Sequence, residues 1–310
     1  MTLGCRLNIA ESEAIRSLLA GRDTVVVNSC AVTNDAVAAT RRAIRRARRL
    51  RPDAELVVTG CAAQIDPAGF AAMPEVSRVI GNADKLSPAA WAATEPVVVR
   101  DFAAVADTAP QLIAAFAGHA RAFLEVQNGC DHRCTFCAIP AGRGPNRSST
   151  IDAVVDRAAA LVAAGHRELV LTGVDLTSFA PSLGRLVRSL LDGVPDLPRL
   201  RLSSLDPAAI DDELFELLTQ EARIMPHVHL SIQAGDDLVL KRMRRRHNRR
   251  DVLALVERLR AARPDVAIGA DLIAGFPTED EAMAANSLAL IAQADIVHAH
   301  VFPYSPRERT

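Results

Sequence analysis

Runs of β-branched and aliphatic residues alternate along this chain with segments in which apolar residues recur every three or four positions. Short apolar runs bounded by turn residues predict strands, and the three-to-four spacing predicts helices with one buried face. In the first third, the pattern predicts strands at 25–28 and 55–59 and a third, short strand at 1–3. A helix capped by Thr33 or Asn34 should connect the two longer strands.

The same alternation is longer after residue 118. Strands are expected near 122–126, 168–172, 200–203, 228–233, 267–273 and 296–302, and helices near 151–164, 183–191, 210–218, 251–262 and 279–292. Alternation of this length predicts an α/β fold with a parallel sheet that curls into a full or partial barrel. Six strands are too few for the eight-stranded barrel.

Residues 94–118 separate these regions and are rich in Ala and Val, with two prolines, which indicates a linker. The predicted organisation is an N-terminal domain at 1–93, a linker at 94–118 and a second domain at 119–310. A chain of 310 residues with 49% apolar residues can bury two cores of this size.

The composition indicates the cellular compartment of the protein. No apolar stretch is long enough to cross a membrane and no signal peptide opens the chain, so a cytoplasmic location without a membrane partner is expected. Thiols stay reduced in that compartment and are available to metals. Six cysteines are also few for a disulfide scaffold of 310 residues.

The net charge of −1 excludes a global field that attracts nucleic acid, but the basic residues are unevenly distributed. Arg is concentrated at 41–51 and 241–250, and Lys occurs only at positions 85 and 241. Dense Arg suits phosphate contacts, so either run is a candidate for RNA binding. The alternative is that Arg is simply the basic residue that this chain uses on its polar helix faces.

Cys130, Cys134 and Cys137 form a C-x₃-C-x₂-C triplet. Three soft thiolates this close together select a soft metal or an iron–sulfur cluster. Three ligands leave one iron of a four-iron cubane open to a ligand that is not protein. The alternatives are a zinc site that recruits His132 as its fourth ligand, and a disulfide.

Cysteines also follow the three predicted strands of the N-terminal domain, at Cys5, Cys30 and Cys61. Parallel strands with helical crossovers place their carboxyl ends along one edge of the sheet, where such folds bind ligands. The three thiols should therefore meet at a second three-thiolate site. A single cysteine in this position is usually only a small buried hydrophobe, but three at equivalent positions indicate a shared ligand.

The triplet, with Phe136 before its last cysteine, resembles the cluster loop of the radical S-adenosylmethionine (SAM) enzymes, and the residues around the other three cysteines resemble the N-terminal domain of the methylthiotransferases. This resemblance implies an N-terminal parallel βα domain followed by an open six-stranded (βα) radical SAM barrel. It implies two [4Fe–4S] clusters as cofactors, one on each set of cysteines. It also implies that SAM binds the open iron of the triplet's cluster.

Ligands of such barrels lie where strands end and loops begin. Gly173, Ser203, Gln233 and Asp271 close the second to fifth predicted barrel strands, and the resemblance makes them candidate SAM contacts. Each has a structural alternative: the glycine permits a turn, the serine caps a helix, and the aspartate satisfies loop amides.

The loop at 138–148 resembles the Gly-Arg-Gly-Pro segment of the tRNA-modifying branch that acts on threonylcarbamoyladenosine, as do the segments 201–207, 229–236, 271–277 and 300–306. The resemblance implies methylthiolation of the C2 atom of that adenine, beside the anticodon. Its implied partners are tRNA and an electron donor such as flavodoxin or ferredoxin. Members of the family usually continue into a small C-terminal β domain that holds RNA, whereas this chain stops at Thr310.

Other functions stay open at this point. The same chemistry occurs on isopentenyladenosine of tRNA and on a ribosomal-protein aspartate. The pairs His227/His229 and His298/His300 would suit a zinc hydrolase on a barrel, although the sequence assigns no carboxylate between them. A third reading is a non-catalytic RNA-binding protein with structural clusters, which two sets of only three cysteines do not favour.

Overall fold

The structure is a computed structural model that describes residues 1–102, 120–307 and 310. The N-terminal part contains a four-stranded parallel sheet in the order β1-β2-β3-β4. Its strands are β1 (Thr24–Ser29), β2 (Glu55–Gly60), β3 (Arg78–Ile80) and β4 (Val97–Val98). Its helices are α1 (Arg6–Leu18), α2 (Asn34–Leu50), α3 (Cys61–Ile65), α4 (Pro67–Ala71) and α5 (Pro88–Ala92).

The predicted strands and helix of this part are present, with two differences. Thr33 caps α2, accepting a hydrogen bond of 3.1 Å from the Ala36 amide. Residues 1–3 do not form a strand of their own, because only Thr2 bridges to Asn28 of β1. The start of the predicted linker is also structured, since β4 lies within it. Residues 103–119, which include the rest of that linker, lie outside the described residues.

Six parallel strands form the second part, at the positions that the alternation predicts. They are β5 (Ala122–Glu125), β8 (Leu169–Thr172), β9 (Leu200–Leu202), β10 (His227–Gln233), β11 (Ala267–Ala274) and β12 (Ile296–Pro303). A short antiparallel pair, β6 (Gln127–Asn128) and β7 (Arg147–Ser148), lies between the first two. The helices are α6 (Ile139–Arg143), α7 (Ile151–Ala163), α8 (Leu183–Gly193), α9 (Asp212–Gln220), α10 (Asp237–Arg242), α11 (Arg249–Ala262) and α12 (Glu281–Gln293).

The six strands form two parallel sheets, β5-β8-β9 and β10-β11-β12, which a parallel bridge between Leu205 and Leu230 connects. In β10 and β11, alternate residues such as Val228 and Ile268 pack in one core with residues of α11 such as Leu255. The residues between them face the other side, which is the lumen of the open barrel. No helix among the described residues is long and apolar enough to cross a membrane.

Candidate functional site

The cysteine triplet lies in the loop between β6 and α6. The backbone folds around the sulfurs, since the His132 amide donates to Cys130 Sγ at 3.4 Å and the Ile139 amide donates to Cys137 Sγ at 3.4 Å. Burial, followed by Asp175 and the other two triplet thiols, raises the pKa of Cys130 to about 12, and burial together with Cys134 raises that of Cys137 to about 11. Thiols of this kind stay protonated until a bound metal displaces the proton.

Two residues beside the triplet have partners of their own. His132, the alternative fourth zinc ligand, places Nε2 3.1 Å from an Asp175 carboxylate oxygen. Arg245 places Nη1 3.5 Å from Cys134 Sγ, while its other terminal nitrogen donates to Asp206 at 3.2 Å and to the Ser231 carbonyl at 2.8 Å. Arg245 thus places a positive charge beside the triplet.

Part of the basic run at 241–250 therefore makes contacts inside the molecule. Arg245 is held at the triplet, His247 is buried, and Arg249 donates to the Gly235 carbonyl at 2.7 Å. RNA contact stays a prediction for the exposed members of this run only.

The other three cysteines come together at the carboxyl edge of the N-terminal sheet. Cys5 precedes α1, Cys30 follows β1, and Cys61 opens α3 directly after β2. A Cβ atom on Gly4, whose φ is +110°, would lie 2.8 Å from Cys30 Cβ, so the Cys5 loop packs directly on Cys30. Burial and, to a smaller extent, the nearby Cys61 and Cys5 raise the pKa of Cys30 to about 11. Their role as cluster ligands stays a prediction.

Helix α6, which follows the cysteine triplet, also contacts Cys61 of the N-terminal set. We call this contact between the two sets the shared wall. A Cβ atom on Gly142 of α6 would lie 3.1 Å from Cys61 Cβ. Asn82 bridges the same contact, because its Nδ2 lies 3.6 Å from Cys61 Sγ and donates to the Gly142 carbonyl at 2.7 Å. The helix that follows the triplet thus lies against the N-terminal cysteines.

Arg307 connects the two cysteine loops from the opposite end of the sequence. Its Nη1 donates to the Ala31 carbonyl at 3.1 Å, beside Cys30, and its Nη2 donates to the Phe136 carbonyl, beside Cys137. One side chain therefore fixes the spacing of a residue from each loop.

A fully buried ion cluster supports this wall. Glu11 of α1 accepts Arg143 Nη1 at 2.8 Å and lies 2.5 Å from Lys85 Nζ, and all three side chains are at most 2% exposed. Although burial alone would raise it, Arg143 and Lys85 lower the pKa of Glu11 to about 2. Glu125 is buried beside the same groups, and burial and Glu11 raise its pKa to about 7, so it offsets only part of the second positive charge at pH 7. The Arg143 guanidinium also acts electrostatically on Cys5 and Cys61. A buried cation there suits an anionic assembly of thiolates and iron, so the residues present fit a cluster.

The contact at Gly142 gives the first prediction. A Gly142→Val substitution should displace Cys61, since a side chain does not fit at 3.1 Å from Cys61 Cβ. The anaerobically reconstituted variant should lose about half of its iron, roughly four atoms of eight, while the triplet keeps the rest. Ala141→Val, which enlarges the neighbouring, partly exposed residue of the same helix, is the control. Full iron in the valine variant would contradict the shared wall.

Three of the four candidate SAM contacts lie at strand ends. Gly173 follows β8, and a Cβ there would lie 2.7 Å from Gln127 Oε1. Ser203 follows β9 and is buried, and its Oγ has no hydrogen-bond partner among the described residues. Gln233 ends β10 with a φ of +76°, a conformation that non-glycine residues adopt mainly where surrounding structure imposes it.

Asp271 differs, because it lies in the middle of β11 and is bound by its neighbours. Its Oδ1 is 3.0 Å from His229 Nε2 and 3.2 Å from His300 Nδ1, and Ser204 Oγ donates to Oδ2 at 3.3 Å. This is the carboxylate between the histidine pairs that the sequence did not assign. The three ligand atoms lie within 4.8 Å of one another, a spacing that a metal ion would also accept.

Comparisons with known proteins agree with this arrangement. Residues 124–291 match the Radical SAM superfamily, and residues 1–81 match the Uncharacterized protein family UPF0004. The threonylcarbamoyladenosine tRNA methylthiotransferase MtaB of Rickettsia prowazekii (strain Madrid E) is 49% identical, over 100% of this chain and 76% of its own length. The tRNA-2-methylthio-N(6)-dimethylallyladenosine synthase of Erythrobacter litoralis (strain HTCC2594) is 34% identical, over 100% and 75%.

Solved structures share the fold. The radical S-adenosylmethionine methyltransferase TsrM from Kitasatospora setae, with cobalamin and a [4Fe-4S] cluster bound, superposes with a TM-score of 0.66 at 18% identity, covering 96% of this chain and 66% of that one. The cobalamin-dependent radical enzyme OxsB gives a TM-score of 0.58 at 12% identity, covering 91% and 45%. These neighbours confirm the α/β radical SAM architecture and say nothing further.

The superfamily match covers more than half of the chain, and the relative at 49% identity spans all of it. The zinc hydrolase reading of the histidine pairs is therefore wrong as an account of the enzyme class. Membership follows from the sequence match, and the two adjoining sets of three cysteines fit it. The chain belongs to the radical SAM superfamily and, within it, to the methylthiotransferases.

Proposed function

We propose that this enzyme methylthiolates the C2 atom of N6-threonylcarbamoyladenosine beside the anticodon of tRNA, using SAM and two [4Fe–4S] clusters. The observation that carries the proposal is the shared wall, where α6 of the triplet loop contacts Cys61. Methylthiolation needs carbon activation and sulfur delivery at one adenine, and adjoining three-cysteine sites suit both tasks. The threonylcarbamoyl substrate rests on the names of two relatives, at 49% and 36% identity.

Cys130, Cys134 and Cys137 would hold the cluster that binds SAM, and Cys5, Cys30 and Cys61 would hold the auxiliary cluster. When bound, the first cluster and SAM supply a deoxyadenosyl radical able to activate an unreactive C–H bond. The protein's part is to fix positions and exclude water. Arg245 and Arg307 hold the triplet loop, and the buried Glu11 cluster holds the auxiliary site.

The barrel residues are proposed to receive SAM. Gly173 is proposed to offer its backbone at the end of β8, while Gln127 fills the space that a Cβ atom would take. Ser203 offers a buried hydroxyl without a partner among the described residues, and such a group gains most from a ligand. Gln233 ends β10 in an unusual backbone conformation that the surrounding structure imposes. Asp271, already bound by two histidines, is proposed to contribute to the same lumen.

The test is anaerobic reconstitution followed by reaction with tRNA that carries threonylcarbamoyladenosine, with SAM and reduced flavodoxin or ferredoxin as the proposed electron donor. About eight irons per chain are expected, and mass spectrometry should find a methylthio group in place of one hydrogen on that nucleoside. Parallel reactions with isopentenyladenosine tRNA and with the ribosomal-protein aspartate should give no product. Zinc without iron, or product only on another substrate, would contradict the proposal.

A further inference from the structure

The lumen face of β10 and β12 is lined by imidazoles. Ring centroids of His229 and His300 lie 5.1 Å apart, and those of His227 and His298 lie 6.3 Å apart, so the two pairs span the intervening strand. Gly269 of β11 makes the room, since a Cβ there would lie 2.5 Å from His229 Nδ1. The lumen face of these strands is polar, whereas their helix-facing side is apolar. A polar face of this kind is typical of a surface that receives a polar ligand.

A second feature of the lumen is an uncompensated positive charge. Glu168, directly before β8, is contacted by Arg201 at 2.7 Å, Arg199 at 3.1 Å and Arg121 at 3.7 Å. Three positive charges against one negative charge leave an excess of two. These residues lie at the amino ends of β5, β8 and β9, and Arg201 shares the lumen face with Arg199 because the leucines between and after them are buried.

Arg6 faces the same space from α1. It follows Cys5 directly and makes no hydrogen bond or ion pair with any residue that the structure describes. As the first residue of α1 it lies beside an auxiliary cysteine. The charges of the basic group around Glu168 act on it as well: burial, Arg121 and Arg201 lower its pKa, whereas Asp271 and Cys5 raise it.

The field of these cations also reaches the histidine wall. Burial, His229, Arg201, His298 and Arg6 together lower the pKa of His227 to about 4. His227 is therefore neutral at pH 7 and keeps one N–H donor. Four guanidiniums, those of Arg6, Arg121, Arg199 and Arg201, act here against the carboxylates of Glu168 and Asp271, so the surface keeps a net positive charge.

This inference rests on the proposed function. We infer that Arg6 and Arg201, with the imidazole of His227, bind the carboxylate of the substrate's threonyl group. The threonylcarbamoyl group is attached at N6, on the carbon that N1 separates from C2, and the carboxylate is at the far end of that group, so it must be bound several atoms away from the reacting carbon. Arg6 satisfies this requirement because it stands one residue from Cys5 and extends toward Arg121 and Arg201. An uncharged isopentenyl group would leave Arg6, which has no ion pair with any described residue, without an anion, and that difference selects against it.

The experiment uses the cluster-loaded enzyme and three anticodon stem-loops. One carries threonylcarbamoyladenosine, one carries its neutral carboxamide, and one carries unmodified adenosine. Arg6→Gln and Arg201→Gln should each weaken binding of the first by about ten- to a hundredfold and change binding of the other two by less than about threefold. Arg6→Lys should retain part of the preference for the carboxylate. Arg16→Gln, an exposed position on the same helix, is the matched control.

Equal loss of affinity for all three stem-loops would show that the anion is an RNA phosphate and would overturn the inference. Unchanged affinity for the carboxylate stem-loop in both variants would overturn it as well. One further result would distinguish the inference from the proposed function. If the wild type binds the carboxylate stem-loop most tightly but methylthiolates none of the three, the carboxylate site is supported and the proposed reaction is contradicted.

Discussion

A Cys134→Ala enzyme is expected to form no methylthiolated nucleoside above background and no deoxyadenosine from SAM. Two cysteines cannot hold a four-iron cubane that already lacks its fourth protein ligand. The iron content should fall from about eight to about four atoms per chain, because the auxiliary cysteines are untouched. Iron analysis and chromatographic assay of deoxyadenosine, both on anaerobically reconstituted protein, measure the two effects.

The neighbouring residue provides the control for this substitution. Thr135 Oγ1 donates to the Arg242 carbonyl at 3.0 Å, so Thr135→Ala changes the same loop without removing a sulfur. It should cost about 0.5–1.5 kcal/mol of stability and leave the iron content unchanged. If the Cys134→Ala enzyme still cleaved SAM, the triplet could not be the site that generates the radical.

Replacing Glu11 by Gln should lower the free energy of unfolding by about 3–5 kcal/mol. The substitution leaves Arg143 and Lys85 buried without the carboxylate that compensates both, and uncompensated buried charges are among the costliest defects in a protein. Asp23→Asn, which removes an exposed pair with Arg51, should cost no more than about 1 kcal/mol. Urea unfolding of both variants and the wild type, in one cofactor state, makes the comparison.

The same cluster predicts a pH dependence. The pKa of Glu11 is lowered from 4.5 to about 2 in the folded protein, so the unfolded chain binds its proton first as the pH falls. The stabilisation is complete above about pH 4.5 and is lost progressively toward about pH 2. In the Glu11→Gln variant this part of the acid dependence should be missing. An identical acid profile for the variant and the wild type would contradict the ion cluster.

The regular strands and long helices could be predicted because their apolar residues repeat with a clear period. Helix α1 was not predicted, although Leu7, Ala10 and Ala14 follow a helical spacing, because polar residues such as Glu11 and Asn8 are buried beside them. The short elements β4 and α6 are set by tertiary contacts rather than by their own sequence. A two-residue strand such as β4 carries too few residues to show any period.

For the site, the cysteines could be found from spacing and from their repeated place after strands. The charged residues around them could not. Glu11, Lys85 and Arg307 look like surface residues in a sequence, and only the fold shows that two are buried and that the third bridges two loops. The bridge from Asp271 to the histidine pairs was missed for a related reason, because strands adjacent in the sheet are distant in sequence.

The Arg307 contacts have a consequence for biosynthesis. Ala31 and Arg307 lie 276 positions apart in the sequence, so the ribosome must have translated residue 307 before these contacts can form. Until then, nothing from this side chain holds the loop after β1 against the loop after β6. Nascent chains stalled before residue 307 should therefore acquire metal at the two loops independently of each other.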